Sequence, residues 1–342
     1  QAMDSVPGAA VAHALGVEDL AWCLDRFGGG NLACSVVSNA VTAVATGACD
    51  TALVYRSMNG RSGRRFGQAG GMGTLAGGGG APAAMRIPGE MQFGAPHGYM
   101  VPPQWVAMWA RRHQHVYGST CEDLGQIAIT QRAHAVANEA ARSRDAITMD
   151  DYLEGRWINE PLRIFDCCRE TDGAVALVVT TLDRARDLPH RPVRMLGASE
   201  SYGAGGSWDQ WPDPTTMYSV HAGPRLWKNT GLRPADVDVA LLYDCFTYTV
   251  MATFEDFGFC GKGEVGDYFA EGRATYGGEG VVNPHGGLLS EAYIHGVNHH
   301  YEAVLQLRGD AGVRQVPGAE VALVTAGAGP YGGGLVYTNE EA

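Results

Sequence analysis

Lysine is almost missing from this chain: Lys228 and Lys262 are the only two, so chemistry that runs through a lysine imine has little to draw on. The eight cysteines (23, 34, 49, 121, 167, 168, 245 and 260) form no C-x-x-C pair and no Cys/His spacing of a zinc site. A chain of this length needs no disulfide staples, so reduced thiols in a cytoplasm are the expected setting. No stretch approaches the roughly 20 uninterrupted apolar residues that span a bilayer, and no basic segment followed by an apolar one opens the chain. Charged residues make up only 18%, with a net charge of −12 and acids and bases interspersed. Nucleic-acid binders concentrate Lys and Arg on one face, so a phosphate-backbone partner is excluded. The chain opens on Gln1 with a helix-like segment in place of an opening strand, and a preceding piece of the protein is expected.

Glycine, by contrast, is abundant. Of its 48 residues, many stand in runs, as at 28–30, 70–71, 77–80 and 332–334, which mark tight turns and a pocket lined by backbone. Between the runs, helical and strand patterns alternate. "NLACSVVSNAVTAVATG" reads as a helix and "CDTALVYRS" as a buried strand. Two amphipathic helices follow, "PPQWVAMWARRHQHVYG" and "STCEDLGQIAITQRAHAVANEAARSRD", the second opened by a Ser119-x-x-Glu122 capping box. "DGAVALVVTT" and "RPVRMLGASE" read as neighbouring strands, "VDVALLYDCFTYTVMATFEDFGF" as a strand turning into a helix, and "GAEVALVTAGAGPYGGGLVYT" as a closing hairpin. The pattern predicts an α/β fold with layered helices and sheets.

Two motif matches carry no function. Gly327-x-Gly329-x-x-Gly332 fits a dinucleotide fingerprint, but only ten residues follow it, too few for the helix and second strand of that unit. His299-His300 and Cys167-Cys168 are adjacent in sequence, and adjacent side chains diverge, so neither pair forms a metal site.

Four segments, in order, resemble the thiolase superfamily: Gly28-Gly29-Gly30 entering the helix that ends at Gly47, "EPLRIFDCCRETDGAVALVV" (160–179), "YDCF" (243–246), and the pair "NPHGG" (283–287) and "AGAGPYGGG" (326–334). "LRIFDCC" and "YDCF" are similar to the bacterial lipid-transfer or sterol-carrier branch. The resemblance covers nearly the whole chain and lacks only the family's first strand and helix. It implies two pseudo-repeated α/β halves, 1–190 and 191–342, stacked as five α-β-α-β-α layers, with a helical insertion at about 60–160.

The resemblance also implies which residues occupy the catalytic slots. The thiolase nucleophile falls at about Gly30, with Cys34 one turn too late; the second cysteine falls near Ala328; the histidine falls on Tyr293; and the residue opening the third motif is Tyr243. Loss of both thiols removes acyl transfer through an acyl-cysteine. What remains is a thioester pocket lined by N–H groups at Gly30, Asn31 and Gly329. Such a pocket stabilises an enolate, and retro-aldol cleavage of a 3-hydroxyacyl-CoA needs that and a pair of acid–base groups. Tyr243 and Tyr293 in these places resemble the thiolase-like aldolases that shorten steroid-CoA side chains, releasing propionyl-CoA and a 17-ketosteroid. Tyr293 is read as base for the substrate hydroxyl and Tyr243 as acid for the enolate carbon, the reverse order being compatible with the sequence.

Supporting residues are read as follows. His285 and His295 flank Tyr293 as structural or tuning groups, and Asp244 holds backbone amides. Tyr99, Tyr248 and Tyr331 are secondary candidates, and Cys34 and Cys245 are packing residues. No cofactor or metal is expected. A homodimer through "ACDTALVYRS" and a zinc-containing OB-fold (DUF35) domain of a hydratase are the partners the resemblance implies. A thiolase using a residual cysteine and a non-catalytic lipid-carrying or scaffolding homologue are the alternatives.

Overall fold

The computed structural model describes residues 6–62, 91–99, 101–203 and 210–339; the glycine runs at 70–71 and 77–80 lie outside them. In chain order, α1 (Gly8–Ala14) and α2 (Ala33–Ala45) precede β1 (Thr51–Asn59). The helical insertion carries α3 (Met91–Gly94), α4 (Pro102–Tyr117), α5 (Cys121–Val136) and α6 (Met149–Glu154). The short strands β2 (Trp157–Asn159) and β3 (Leu162–Arg163) lead to β4 (Asp172–Thr180), α7 (Leu182–Arg186) and β5 (Val193–Tyr202). After α8 (Ser219–Thr230) come β6 (Val239–Leu241), α9 (Thr247–Asp256), α10 (Val265–Ala270), β7 (Val281–Val282) and α11 (Gly287–Ser290). The chain closes with α12 (Val297–Arg308), β8 (Val321–Ala328) and β9 (Tyr331–Asn339).

The strands read as neighbours, 172–181 and 191–200, belong to different sheets. β4 pairs antiparallel with β1, whereas β5 pairs with β9 at the edge of a five-stranded sheet ordered β5-β9-β8-β6-β7. The link at 187–192 between α7 and β5 joins the two. α2 and α12 both contact strands of both sheets, so they form a helical layer between them. Small residues make this possible: Ala33, Cys34, Val37, Ala40 and Val44 of α2 meet Ala52, Val54, Val324 and Ala326 in one buried cluster. α8 covers the other face of the large sheet at β5 and β9 and touches α9. Among the described residues no helix covers the outer face of β1–β4, where Leu53 and Val178 stand exposed; four of the five expected layers are thus visible.

Two local expectations shift. The capping box of α5 is Thr120 with Asp123, Thr120 Oγ1 accepting from Asp123 N at 3.2 Å and Asp123 Oδ2 from Thr120 N at 2.8 Å; Ser119 is instead paired with His113 at 2.8 Å. That helix also stops at Val136 rather than near 145, because Asn138 leaves the helical path to donate to His285 O and Glu291 Oε1. The fingerprint-like glycines 327–332 form the β8–β9 hairpin. No helix among the described residues is long and apolar enough to cross a membrane.

Candidate active site

Tyr243 stands just past β6, where the chain leaves the sheet. Its backbone is held from three sides: Asn283 brackets Leu242 with bonds of 2.9 and 3.0 Å, Thr325 Oγ1 accepts Tyr243 N at 3.0 Å, and Thr249 Oγ1 donates to Tyr243 O at 2.9 Å. The ring fills space that two glycines leave open. A Cβ on Gly30 would overlap the Tyr243 hydroxyl and sit 2.5 Å from Cζ, and one on Gly296 would sit 2.9 Å from Cδ2. The phenol therefore occupies the volume that a side chain at position 30 would need.

Tyr293 arrives from α11. Asp244, the residue after Tyr243, accepts the amides of Leu288 at 2.9 Å and Leu289 at 3.1 Å and the Nε2 proton of His299, 3.2 Å away. This is the backbone-holding role read from the sequence, and it ties the start of α11 to the end of β6. Thr171 Oγ1 then accepts Tyr293 N at 3.2 Å. The two hydroxyls meet at 3.0 Å, with Tyr243 buried behind the half-buried Tyr293.

Burial pushes both phenols well above their ordinary value, and the proximity of Tyr293 adds to the rise at Tyr243. The pair is not symmetric. The hydrogen bond from Tyr243 and the Arg56 charge both pull Tyr293 back down, while the same hydrogen bond raises Tyr243. Either hydroxyl can donate to the other across this contact, so a proton can pass between the two oxygens in either direction.

The flanking histidines separate. His295 lies edge-on to the Tyr293 ring, centroids 5.0 Å apart at 77°, and its Nδ1 receives Arg56. His285 does not serve the tyrosines: its Nε2 faces His299 Nδ1 at 3.0 Å in a buried chain that ends on Asp244, and burial lowers its pKa. Of the two roles open to it, His285 thus takes the structural one. His299 and His300 diverge as expected, the latter to the Tyr337 hydroxyl at 2.7 Å.

Asn31 acts through its side chain, a role its sequence position did not suggest. Its Nδ2 donates to Ala328 O at 3.2 Å and its Oδ1 accepts Ala328 N at 3.1 Å, so it clips the α2 entrance to the β8–β9 hairpin and consumes an N–H that faces this region. Gly329 turns with φ of 67° and its carbonyl accepts Tyr218 N at 2.8 Å. The secondary tyrosines lie elsewhere: Tyr248 donates to Pro214 O, Tyr331 stacks on Tyr202, and Tyr99 packs against Trp105. Lys262 is held by Asp256 at 2.7 Å and Glu255 at 3.1 Å, and Lys228 is exposed on α8; neither reaches the tyrosine pair. Thr171, Asn283, Thr325, Gly296 and Arg56 were not legible as site residues, since each contributes through a partner distant in sequence.

A family model described as thiolase C-terminal domain-like matches residues 204–336. The chain is 43% identical over 347 residues to a 17-hydroxy-3-oxo-4-pregnene-20-carboxyl-CoA lyase of Mycobacterium tuberculosis, covering 98% of this chain and 86% of that protein. It is 41% identical to a steroid side-chain-cleaving aldolase of Thermomonospora curvata, covering 95% and 83%. The solved structure of an Ltp2-ChsH2(DUF35) aldolase superposes with a TM-score of 0.88 at 39% identity, over 98% of this chain and 85% of that one. The chain belongs to the thiolase-like side-chain-cleaving aldolases. A thiolase-like protein of Mycobacterium smegmatis, at 18% identity and a TM-score of 0.72, shares the fold.

In this aldolase family member the buried thiols Cys34 and Cys245 are poor nucleophiles. Cys34 is fully buried with Sγ 3.6 Å from Val324 O, and burial, reinforced by Glu200, holds its pKa well above the ordinary value. Burial pushes Cys245 up to about 12. Only thiolate attacks. Cys34→Ala and Cys245→Ala should therefore each keep most of the aldolase turnover. A loss of about a thousandfold, the size that deleting a nucleophile produces, or inactivation on labelling one thiol with iodoacetamide, would reinstate a cysteine mechanism.

Proposed function

We propose that this chain cleaves a 17-hydroxy steroid side-chain CoA thioester by retro-aldol reaction, giving propionyl-CoA and a 17-ketosteroid. The observation that carries this is the 3.0 Å contact of two phenols in a site where Gly30 stands in the nucleophile slot. A tertiary 3-hydroxyl cannot be oxidised to the ketone that thiolysis requires, so cleavage between C2 and C3 of the acyl chain leaves the retro-aldol route.

The reaction moves one proton from the substrate hydroxyl to C2. Both phenols are held protonated by burial, so the pair works as a relay rather than from a resting phenolate. Tyr293 accepts the hydroxyl proton while passing its own to Tyr243, and Tyr243 delivers its proton to C2. The hydroxyl oxygen becomes the ketone, the C2–C3 electron pair becomes the enolate, and both tyrosines end neutral. No metal, imine or cofactor enters the balance.

Incubation with a 17-hydroxy steroid-CoA followed by mass spectrometry tests the reading. Propionyl-CoA and ketosteroid are expected in equal amounts without added free CoA. Products that form only with free CoA would identify a thiolase, and an unchanged bound substrate would identify a lipid carrier.

The other edge of β1 carries no strand among the described residues. We expect a homodimer through this strand, and a DUF35-type OB-fold domain as partner. Light scattering at the dimer mass and a rise in turnover on adding that domain are the expected results; a monomer with full activity that ignores the domain contradicts both.

A further inference from the structure

The relay accounts for the proton, and the enolate oxygen needs donors of its own beside the N–H groups expected at Gly30, Asn31 and Gly329. Without metal or imine, charge developing on the thioester oxygen must be met by a fixed hydrogen-bond donor. The Ala328 N–H of the hairpin is already spent on Asn31. A different donor stands opposite.

His295 is one of two non-glycine residues with positive φ among the described residues, at 53°. A non-glycine backbone there is strained and persists only where the surroundings hold it. Its ring is fixed at two points. One edge meets Tyr293. The other is gripped by Arg56 of β1, whose Nη2 and Nε lie 2.8 and 3.1 Å from Nδ1. A guanidinium only donates and is always charged, so Nδ1 must be the bare acceptor nitrogen, and the ring proton must sit on Nε2. Arg56 thereby sets the tautomer. The Nε2 atom lies 3.9 Å from where a Cβ on Gly29 would be, while the Tyr243 hydroxyl fills the corresponding space at Gly30. His295 Nε2–H thus stands beside Gly29, one residue from the glycine that the Tyr243 hydroxyl faces, and its ring lies against Tyr293.

We propose that His295 is a further catalytic residue, its Nε2–H holding the thioester oxygen as the enolate forms, with Arg56 positioning it. This rests on the retro-aldol reading. As the C2–C3 bond breaks, its electron pair spreads onto that oxygen, which accepts the hydrogen bond without taking the proton. When Tyr243 protonates C2 the pair returns and the carbonyl is restored.

The test compares His295→Ala with His295→Gln, whose amide N–H reaches the place of Nε2. With a 17-hydroxy steroid-CoA, the alanine variant should lose on the order of 10² in kcat, as removal of one oxyanion donor does, with KM nearly unchanged. The glutamine variant should stay within about tenfold of the parent, a factor worth about 1.4 kcal/mol. Nitrogen NMR of the histidine rings in the unaltered protein should show Nδ1 of His295 unprotonated, and Arg56→Met should release that tautomer. An alanine variant within about threefold of the parent, a glutamine variant as slow as alanine, or a proton on Nδ1 would each overturn the proposal. The NMR result stands even where a variant fails to fold. A parent protein that releases no propionyl-CoA would instead overturn the retro-aldol reading itself.

Discussion

Tyr243→Phe and Tyr293→Phe are each expected to lower kcat by about 10²-fold or more, the contribution of a positioned acid–base group. Folding should survive both changes. Tyr243 keeps its ring against Gly30 and Gly296 and its backbone bonds to Thr325 and Thr249, with Asn283 still holding Leu242, without the hydroxyl, and the Tyr293 amide still reaches Thr171. Because the proton crosses both oxygens in sequence, removing either breaks the same chain. The double variant should be little worse than the slower single one, the non-additivity of residues that act as a unit. The pH profile discriminates further. Burial raises both phenols, so a relay of neutral tyrosines predicts kcat that is level across the neutral range; a rise with an apparent pKa near 7 would mean a resting phenolate base. If both single variants keep more than about a tenth of kcat, a barrier change of only about 1.4 kcal/mol, neither hydroxyl carries the proton.

Gly30→Ala should be more damaging still, though it removes nothing. The new methyl would overlap the Tyr243 hydroxyl and stand 2.5 Å from Cζ and 2.8 Å from Cε2. The ring has little freedom to shift, because its Cδ2–Cε2 edge also packs against Gly296 and the backbone around it is bonded to Thr325, Thr249 and, through Leu242, Asn283. Overpacking of this kind costs about 1–3 kcal/mol of stability, and displacement of the phenol should lower kcat by about 10³-fold through lost positioning and lost proton transfer. Thermal unfolding and steady-state kinetics read the two effects separately. Adding Tyr243→Phe to Gly30→Ala relieves the hydroxyl overlap, so the double variant should regain part of the stability and none of the activity, a coupling that only residues in contact show. A Gly30→Ala protein with unchanged melting and kcat within about tenfold would mean that the phenol does not occupy that volume.

The tyrosines could be picked out of the sequence because ordered motifs fix which loops enter one pocket, and the structure brings their hydroxyls to 3.0 Å. Asp244 was legible for the same reason: a carboxylate at a strand end beside a helix start accepts amides. The long-range pairings were not legible. Arg56 and His295 are separated by 239 positions and Asn31 and Ala328 by 297, and periodicity holds no information on which polar side chains meet across such spans. The sequence left His285 open between a structural and a tuning role, because proximity to Tyr293 in sequence does not say to which side of the loop a ring turns. In the fold, helix and strand identities followed from periodicity, whereas the assignment of 172–181 and 191–200 to separate sheets is a tertiary choice that neither segment encodes alone.

The exclusion between position 30 and the Tyr243 phenol bears on how such a site can arise and whether it can revert. A side chain at position 30 leaves no room for the phenol where it stands, and glycine at 30 with phenylalanine at 243 leaves neither a thiol nor a hydroxyl there. The same barrier stands in the return direction: restoring a cysteine at Gly30 meets the Tyr243 hydroxyl. Exchange of one arrangement for the other in this protein would therefore need positions 30 and 243 changed together.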